Sequence, residues 1–158
     1  MCGAEIKITE KQQQLIEQVG VLFERKGMPP ACARVIGVLI VADPTELTFD
    51  QIRKTLKLSK SATSNAVNSL LNTDYVQYIT KSGDRKRYFV FKLDGWEEKI
   101  MKEINNMGLM SDLFKDILKQ RPGDTVEFNS KFKGIIDFTE FIKEKANELL
   151  VEWKRKKE

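Results

Sequence analysis

Residues 47–93 read LTFDQIRKTLKLSKSATSNAVNSLLNTDYVQYITKSGDRKRYFVFKL, and the periods inside this stretch decide the fold. Thr48-Phe49-Asp50-Gln51 has the form of a capping box, in which the Thr48 hydroxyl accepts from the Gln51 amide and the Gln51 side chain reaches back. Phe49, Ile52 and Leu56 then recur at helical spacing over about two turns. Lys57-Leu58 makes a tight break. Ser59 is placed to cap a second helix, KSATSNAVNSLL, with Thr63, Ala66, Val67 and Leu70 on one face and Lys60, Ser61, Ser64, Asn65 and Asn68 on the other. Beyond it, Tyr75–Thr80 (YVQYIT) and Arg87–Phe91 (RYFVF) are rich in aromatic and β-branched residues and flank Ser82-Gly83-Asp84, a hairpin signature. Two short helices joined by a tight turn and followed at once by a basic hairpin predict a winged helix-turn-helix.

Working outward, Leu15, Ile16, Val19, Leu22 and Phe23 keep helical step after Thr9, a candidate cap, and Gly27 ends that segment. Pro29 and Pro30 open the run ACARVIGVLIVAD, which is apolar on nearly every side and is stopped by Pro44, so it belongs in the middle of a core. On the C-terminal side, Asp94 with Glu97 is expected to open a helix carrying Trp96, Ile100, Ile104, Met107, Met110, Phe114, Ile117 and Leu118. Arg121-Pro122-Gly123 ends it. Asp124 and Glu127 then start another of similar length, with Phe128, Phe132, Ile135, Ile142, Leu149 and Trp153 as its stripe. At a rise of about 1.5 Å per residue each rod is roughly 39 Å long. Rods of that length with broad apolar faces are better accounted for by packing against a second copy than within a compact monomer.

The expected fold is therefore mainly α with a small β-hairpin wing, an α+β winged helix-turn-helix. A single domain over 1–158 is expected, with the winged helix-turn-helix part at 30–92 and dimerisation helices at 9–27 and 94–156.

Composition removes most catalytic chemistry. The 158 residues contain no histidine and two cysteines, Cys2 and Cys32. No Ser-His or Cys-His pair and no His-ligated metal is available, and two cysteines cannot fill a tetrahedral zinc site. Glu97 and Glu98 are adjacent and so do not share a helix face, which leaves no acid pair for general acid-base work. The expectation is no enzyme, no cofactor and no metal. No stretch is apolar for the length of a membrane span, and the N-terminal residues lack the pattern of an export signal, so no membrane partner and a cytoplasmic location are expected.

The net charge is only +4, but it is unevenly spread: residues 48–92 hold nine Lys and Arg against three acids, a local excess of +6, leaving −2 for the rest. A helix fits the major groove, and short polar side chains on its exposed face can reach base edges. Asn bonds adenine in bidentate fashion, Ser offers donor or acceptor, and Lys60 suits phosphate or guanine. This marks Lys60, Ser61, Ser64, Asn65 and Asn68 as candidate base-contacting residues. On the wing, Lys81, Arg85, Lys86 and Arg87 can follow the backbone or enter a narrow minor groove, while Lys54 and Lys57 suit phosphate contacts that set register. Asp84 caps the turn or orients a neighbouring Arg.

The whole stretch 47–93 resembles the winged helix-turn-helix of MarR-type transcriptional regulators, and is most similar to GbsR-like members. The likeness takes in the leading helix, the Pro-Pro start of the second and the long C-terminal pair. It implies a homodimer on a palindromic operator in double-stranded DNA, acting as a repressor. Many members release DNA when a small molecule occupies a pocket between the wing domain and the dimer helices, which leaves an effector of unspecified identity among the candidate partners. By the same resemblance Ser61, Ser64, Asn65 and Asn68 match recognition-helix positions, and Arg85 and Arg87 match the wing. Lys60-Ser61-Ala62 stands where GbsR-like chains often carry an Arg-Gly-Asn run, so an operator sequence does not transfer.

That subfamily is associated with choline and glycine betaine metabolism, and a quaternary ammonium calls for an aromatic cage, with Trp96, Tyr88, Phe23 or Trp153 as walls. Aromatics at helical spacing are more often core. Cys32 reads as a buried thiol before a redox sensor. The run Trp153-Lys154-Arg155-Lys156-Lys157 reads as a solvated helix end whose cations face the negative dipole pole. The rival to a sequence-specific regulator is a winged helix that docks protein or RNA, or one that binds DNA without specificity.

Overall fold

The computed structural model describes residues 6–157, the Lys157 side chain excepted, so Cys2 lies outside the described residues. The chain divides into two compact units, one ending at Leu93 and the other beginning at Asp94.

The first unit runs α1 (Glu10–Arg25), α2 (Pro30–Val41), β1 (Leu47–Thr48), α3 (Phe49–Thr55), α4 (Lys60–Asn72), β2 (Val76–Thr80) and β3 (Arg87–Phe91). Its helices start where the sequence sets a cap. Thr9 Oγ1 accepts from the Gln12 amide at 3.1 Å while Gln12 Oε1 accepts from the Thr9 amide at 2.9 Å, and Thr48 with Gln51 repeats the arrangement at 3.3 and 2.9 Å. Each box satisfies two otherwise orphaned donors. Three helices stop in the same way. Met28, Leu58 and Tyr75 donate backward to Phe23, Arg53 and Leu70 at 3.1, 3.0 and 3.0 Å, closing Schellman turns around Gly27, Lys57 and Asp74. These three take left-handed φ values of 86°, 52° and 60°, a conformation that costs glycine nothing and other residues something.

α2 is the centre of the core: Cys32, Ala33, Val35, Ile36, Val38 and Leu39 are all buried, beside Ile16, Ile52, Ala66, Val67, Leu70 and Phe89. Gly37 lets α1 approach, because a Cβ there would sit 2.8 Å from the Ile16 carbonyl oxygen. Arg34 lies across Gly20 of α1 and pairs with Glu17 at 3.0 Å and with Glu24. The hairpin is joined by a third strand that the sequence reading does not contain, giving an antiparallel sheet in the order β1-β3-β2. With two residues, β1 shows no alternation of its own; it exists through its pairing of Leu47 with Phe89 and Thr48 with Tyr88.

The second unit is a helical pair, α5 (Trp96–Gln120) and α6 (Val126–Lys157). One expectation is corrected here: Asp94 does not cap α5; Gly95, at φ 73°, occupies that position with no side-chain cap bond. The seam between the helices brings the Phe114 and Phe132 rings together at 4.8 Å. Its buried positions are Gly108 and Ser111 on α5 with Ile136 and Thr139 on α6, while Trp96, Ile100, Met107, Met110, Ile117, Phe128, Ile135, Leu149 and Trp153 are exposed. Close approach favours small residues at the crossing, and Lys143 lays its alkyl stem over Gly108. A count of apolar residues at helical spacing passes over such positions. Among the described residues no helix is long and apolar enough to cross a membrane.

Candidate nucleic-acid interface

α4 presents the face that the sequence assigns to it. Thr63, Ala66, Val67 and Leu70 are buried, and Lys60, Ser61, Asn65 and Asn68 are exposed, with Ser64 half-buried. Ser59 Oγ accepts from the Ala62 amide at 3.1 Å and lies 3.1 Å from Ser61 Oγ. Thr63 turns its hydroxyl inward and donates to the Ser59 carbonyl at 2.9 Å. Asn68 Nδ2 approaches Ser64 Oγ at 3.5 Å, one turn away on the outer face. Asp50, on α3, is approached by Arg53 at 3.5 Å.

The wing is shaped by Asp84. Its Oδ1 accepts from the Lys86 amide at 2.9 Å and its Oδ2 from the Tyr88 hydroxyl at 2.7 Å. The Tyr88 bond, with the Lys86 amide after it, holds the Asp84 carboxyl below the usual carboxylate range. The same carboxylate pushes the Tyr88 phenol up. Asp84 thus does what the turn needs, and it leaves Arg85 and Lys86 exposed at the tip, in no ion pair among the described residues. Arg87 lies with its guanidinium 4.6 Å from the centre of the Tyr78 ring. Lys81 is placed differently: it pairs with Glu46 and sits 4.3 Å from the centre of the Tyr88 ring, and its ammonium is pushed to a higher pKa chiefly by Glu46.

These parts meet in one cleft of about 390 Å³. Its walls are Ser64, Val67 and Asn68 from α4, Thr48, Phe49 and Asp50 at the start of α3, and Arg85, Lys86, Arg87 and Phe89 from the wing. Of the residues singled out in the sequence, Ser64, Asn68, Arg85, Lys86 and Arg87 come together there. Lys60, Ser61 and Asn65 continue the outer face of α4, and Lys54 and Lys57 are exposed on α3 and in the turn after it. Tyr78, Glu46 and Asp50 were missed, and Tyr88 was considered only as a cage wall. The alternation Arg87-Tyr88-Phe89 was a signal for Tyr88, since it puts that ring on the face opposite Phe89; Glu46 has no local signal.

Phe23 packs edge-on against Tyr75 at 5.9 Å, Tyr88 belongs to the wing, and Trp96 and Trp153 pair with each other at 6.4 Å. Cys32 is buried, its thiol 3.8 Å from the Ala66 carbonyl oxygen.

A helix-turn-helix with a buried inner face, a polar outer face and a cationic hairpin together form a winged helix. Residues 26–87 match the MarR family model. The HTH-type transcriptional regulator MmpR5 of Mycobacterium tuberculosis (strain ATCC 25618 / H37Rv) is 26% identical over 70% of this chain and 65% of its own length; the match thus spans just under two thirds of that relative. The HTH-type protein YvaV of Bacillus subtilis (strain 168) is 22% identical over 93% of this chain and 80% of its own. A solved structure described as a transcriptional regulator superposes with a TM-score of 0.67 at 19% identity, covering 92% of this chain and 99% of that one. That likeness bears on the fold.

Proposed function

We propose that the chain is a sequence-specific DNA-binding transcriptional regulator that acts as a homodimer on a palindromic operator. The observation that carries this reading is the shared cleft, in which the Ser64 and Asn68 side of α4 stands beside Arg85, Lys86 and Arg87. A helix in the major groove with a cationic wing on the flanking backbone would use both walls at once. Lys60, Ser61, Ser64, Asn65 and Asn68 would read bases; Lys54, Lys57, Arg85, Lys86 and Arg87 would hold phosphates. The names of the two relatives support a regulatory role.

The homodimer reading rests on the exposed apolar side chains of the helical pair, among them Leu109, Leu113, Phe138 and Leu149 at 69, 60, 63 and 63% exposure. Exposure on that scale over neighbouring turns marks an interaction surface, and a two-fold copy of the same pair is its natural cover. Repression, release by a small-molecule effector and GbsR-like kinship extend the proposal by resemblance. Selection of binding sites from random duplex DNA tests the reading: a palindromic consensus is the expected result, and recovery of unenriched sequence would point instead to non-specific binding or a docking module.

A further inference from the structure

The wing has two faces, fixed by strand register. β3 pairs Phe89 with Tyr78 and with Leu47, and Arg87 with Thr80. Residues that pair across strands, or stand two apart along one, share a face. Arg87 and Phe89 therefore belong to the face that lines the cleft beside Ser64 and Asn68. Tyr88 pairs with Ile79 on one side and Thr48 on the other, which turns Tyr88 the opposite way. On that far side Lys81 lies over the Tyr88 ring and is ion-paired to Glu46, which stands in the loop ahead of β1. Among the wing cations, Lys81 is the one whose charge is already matched by a carboxylate of the fold, whereas Arg85 and Lys86 are exposed at the tip.

We propose that Glu46 is a resident counter-ion that withholds Lys81 from DNA phosphates, lowering the affinity of the chain for duplex of any sequence and leaving wing contacts to Arg85, Lys86 and Arg87. The inference rests on the DNA-binding reading above. A cation that neutralises a phosphate releases condensed counterions, so each adds about 0.9 to the steepness with which log K falls against log salt. Paired with Glu46, Lys81 brings no net charge to the backbone. Glu46→Gln keeps the shape of the side chain and removes its charge, freeing Lys81 without removing any group that faces the cleft.

The test is binding to a random-sequence duplex over a salt series, by fluorescence anisotropy, for the parent chain and four variants. Glu46→Gln is expected to steepen the slope by about 0.9, so that its advantage over the parent shrinks about eightfold for each tenfold rise in salt. Glu46→Gln with Lys81→Gln is expected to return to the parent slope. Asp43→Asn, which makes the same change in net charge within the same loop, is expected to leave it unchanged. An unchanged slope in Glu46→Gln, a double variant that stays steep, or equal steepening by Asp43→Asn overturns the proposal. Arg85→Ala separates the two readings: if it flattens the slope by about one unit while Glu46→Gln does nothing, the counter-ion falls and DNA binding stands. Absence of duplex binding by the parent at low salt sinks both.

Discussion

In the unit that ends at Leu93, Ile16, Ile36, Leu47, Ile52 and Leu70 are shielded from solvent, each contributed by a different element. In the helical pair the buried positions are Gly108, Ser111, Ile136 and Thr139, while larger apolar side chains such as Leu109, Phe138 and Leu149 stay exposed. The contrast follows from geometry. Three helices and a small sheet can surround one buried helix, here α2, but two helices cover only one stripe of each other. The first unit therefore owns a closed core, and the second has an apolar surface on offer. Stability should reside in the one and assembly in the other.

Truncation gives the largest and most direct break of that contrast. Leu70→Ala empties a site that is 1% exposed and should cost about 2–5 kcal/mol in urea unfolding followed by circular dichroism. Leu149→Ala, at 63% exposure, should stay within about 0.5 kcal/mol in dilute solution. Equal costs would mean that the helical pair has a core of its own.

Glycines sharpen the point next. An added Cβ meets backbone at Gly37, 2.8 Å from the Ile16 carbonyl, but at Gly108 it meets the far end of the Lys143 side chain at 2.9 Å. Backbone cannot yield and a lysine can. Gly37→Ala should cost about 1–3 kcal/mol, and Gly108→Ala less than about 1 kcal/mol, helped by the better helix propensity of alanine. Thermal melts of the two variants check this.

Assembly is tested by charge. Leu149→Asp should weaken the proposed homodimer at least about tenfold, or roughly 1.4 kcal/mol, by sedimentation velocity over a concentration series, with the unfolding of the first unit unchanged. A dimer of parental strength would put the interface elsewhere. Smaller again is Arg85→Ala, which should lower the salt slope of duplex binding by about 0.9 and leave base preference alone, whereas Asn65→Ala should relax preference at one position per half-site.

How legible each region was follows the same division. Thr9, Thr48, Ser59 and the buried face of α4 could be read because a cap and its helix are neighbours in sequence, and the cue and the structure it causes lie within one turn. β1 could not, since two residues become a strand only by meeting Phe89 and Tyr88. The seam of α5 and α6 was legible only in part: hydrophobic periodicity counts large apolar side chains such as Phe114 and Phe132, which meet at 4.8 Å, and passes over the buried Gly108, Ser111 and Thr139. At the interface, the charges of the wing were visible but their states were not. That Lys81 is engaged and Arg85 exposed depends on Glu46, 35 positions away, and on which way alternate residues of a hairpin turn.

The finest effect concerns Asp84, the residue whose role the sequence left undecided. Its two oxygens hold the Lys86 amide at 2.9 Å and the Tyr88 hydroxyl at 2.7 Å, so its folded pKa is depressed, first by Tyr88 and then by Lys86. A depressed carboxyl contributes in full above its unfolded pKa and loses that contribution as pH falls through the folded value. Tyr88, raised by the same bond, contributes below its unfolded pKa and loses it as pH rises through the folded one. The wing turn should therefore be invariant across the neutral range and loosen at both extremes. Two-dimensional amide NMR of Lys86 reads the acid limb: its shift should hold through the ordinary aspartate range, near about 3.9, and move only below it. An inflection at the ordinary value would show that Asp84 does not hold the turn, and Arg85 and Lys86 would then be presented by backbone geometry around Gly83, at φ 78°, alone.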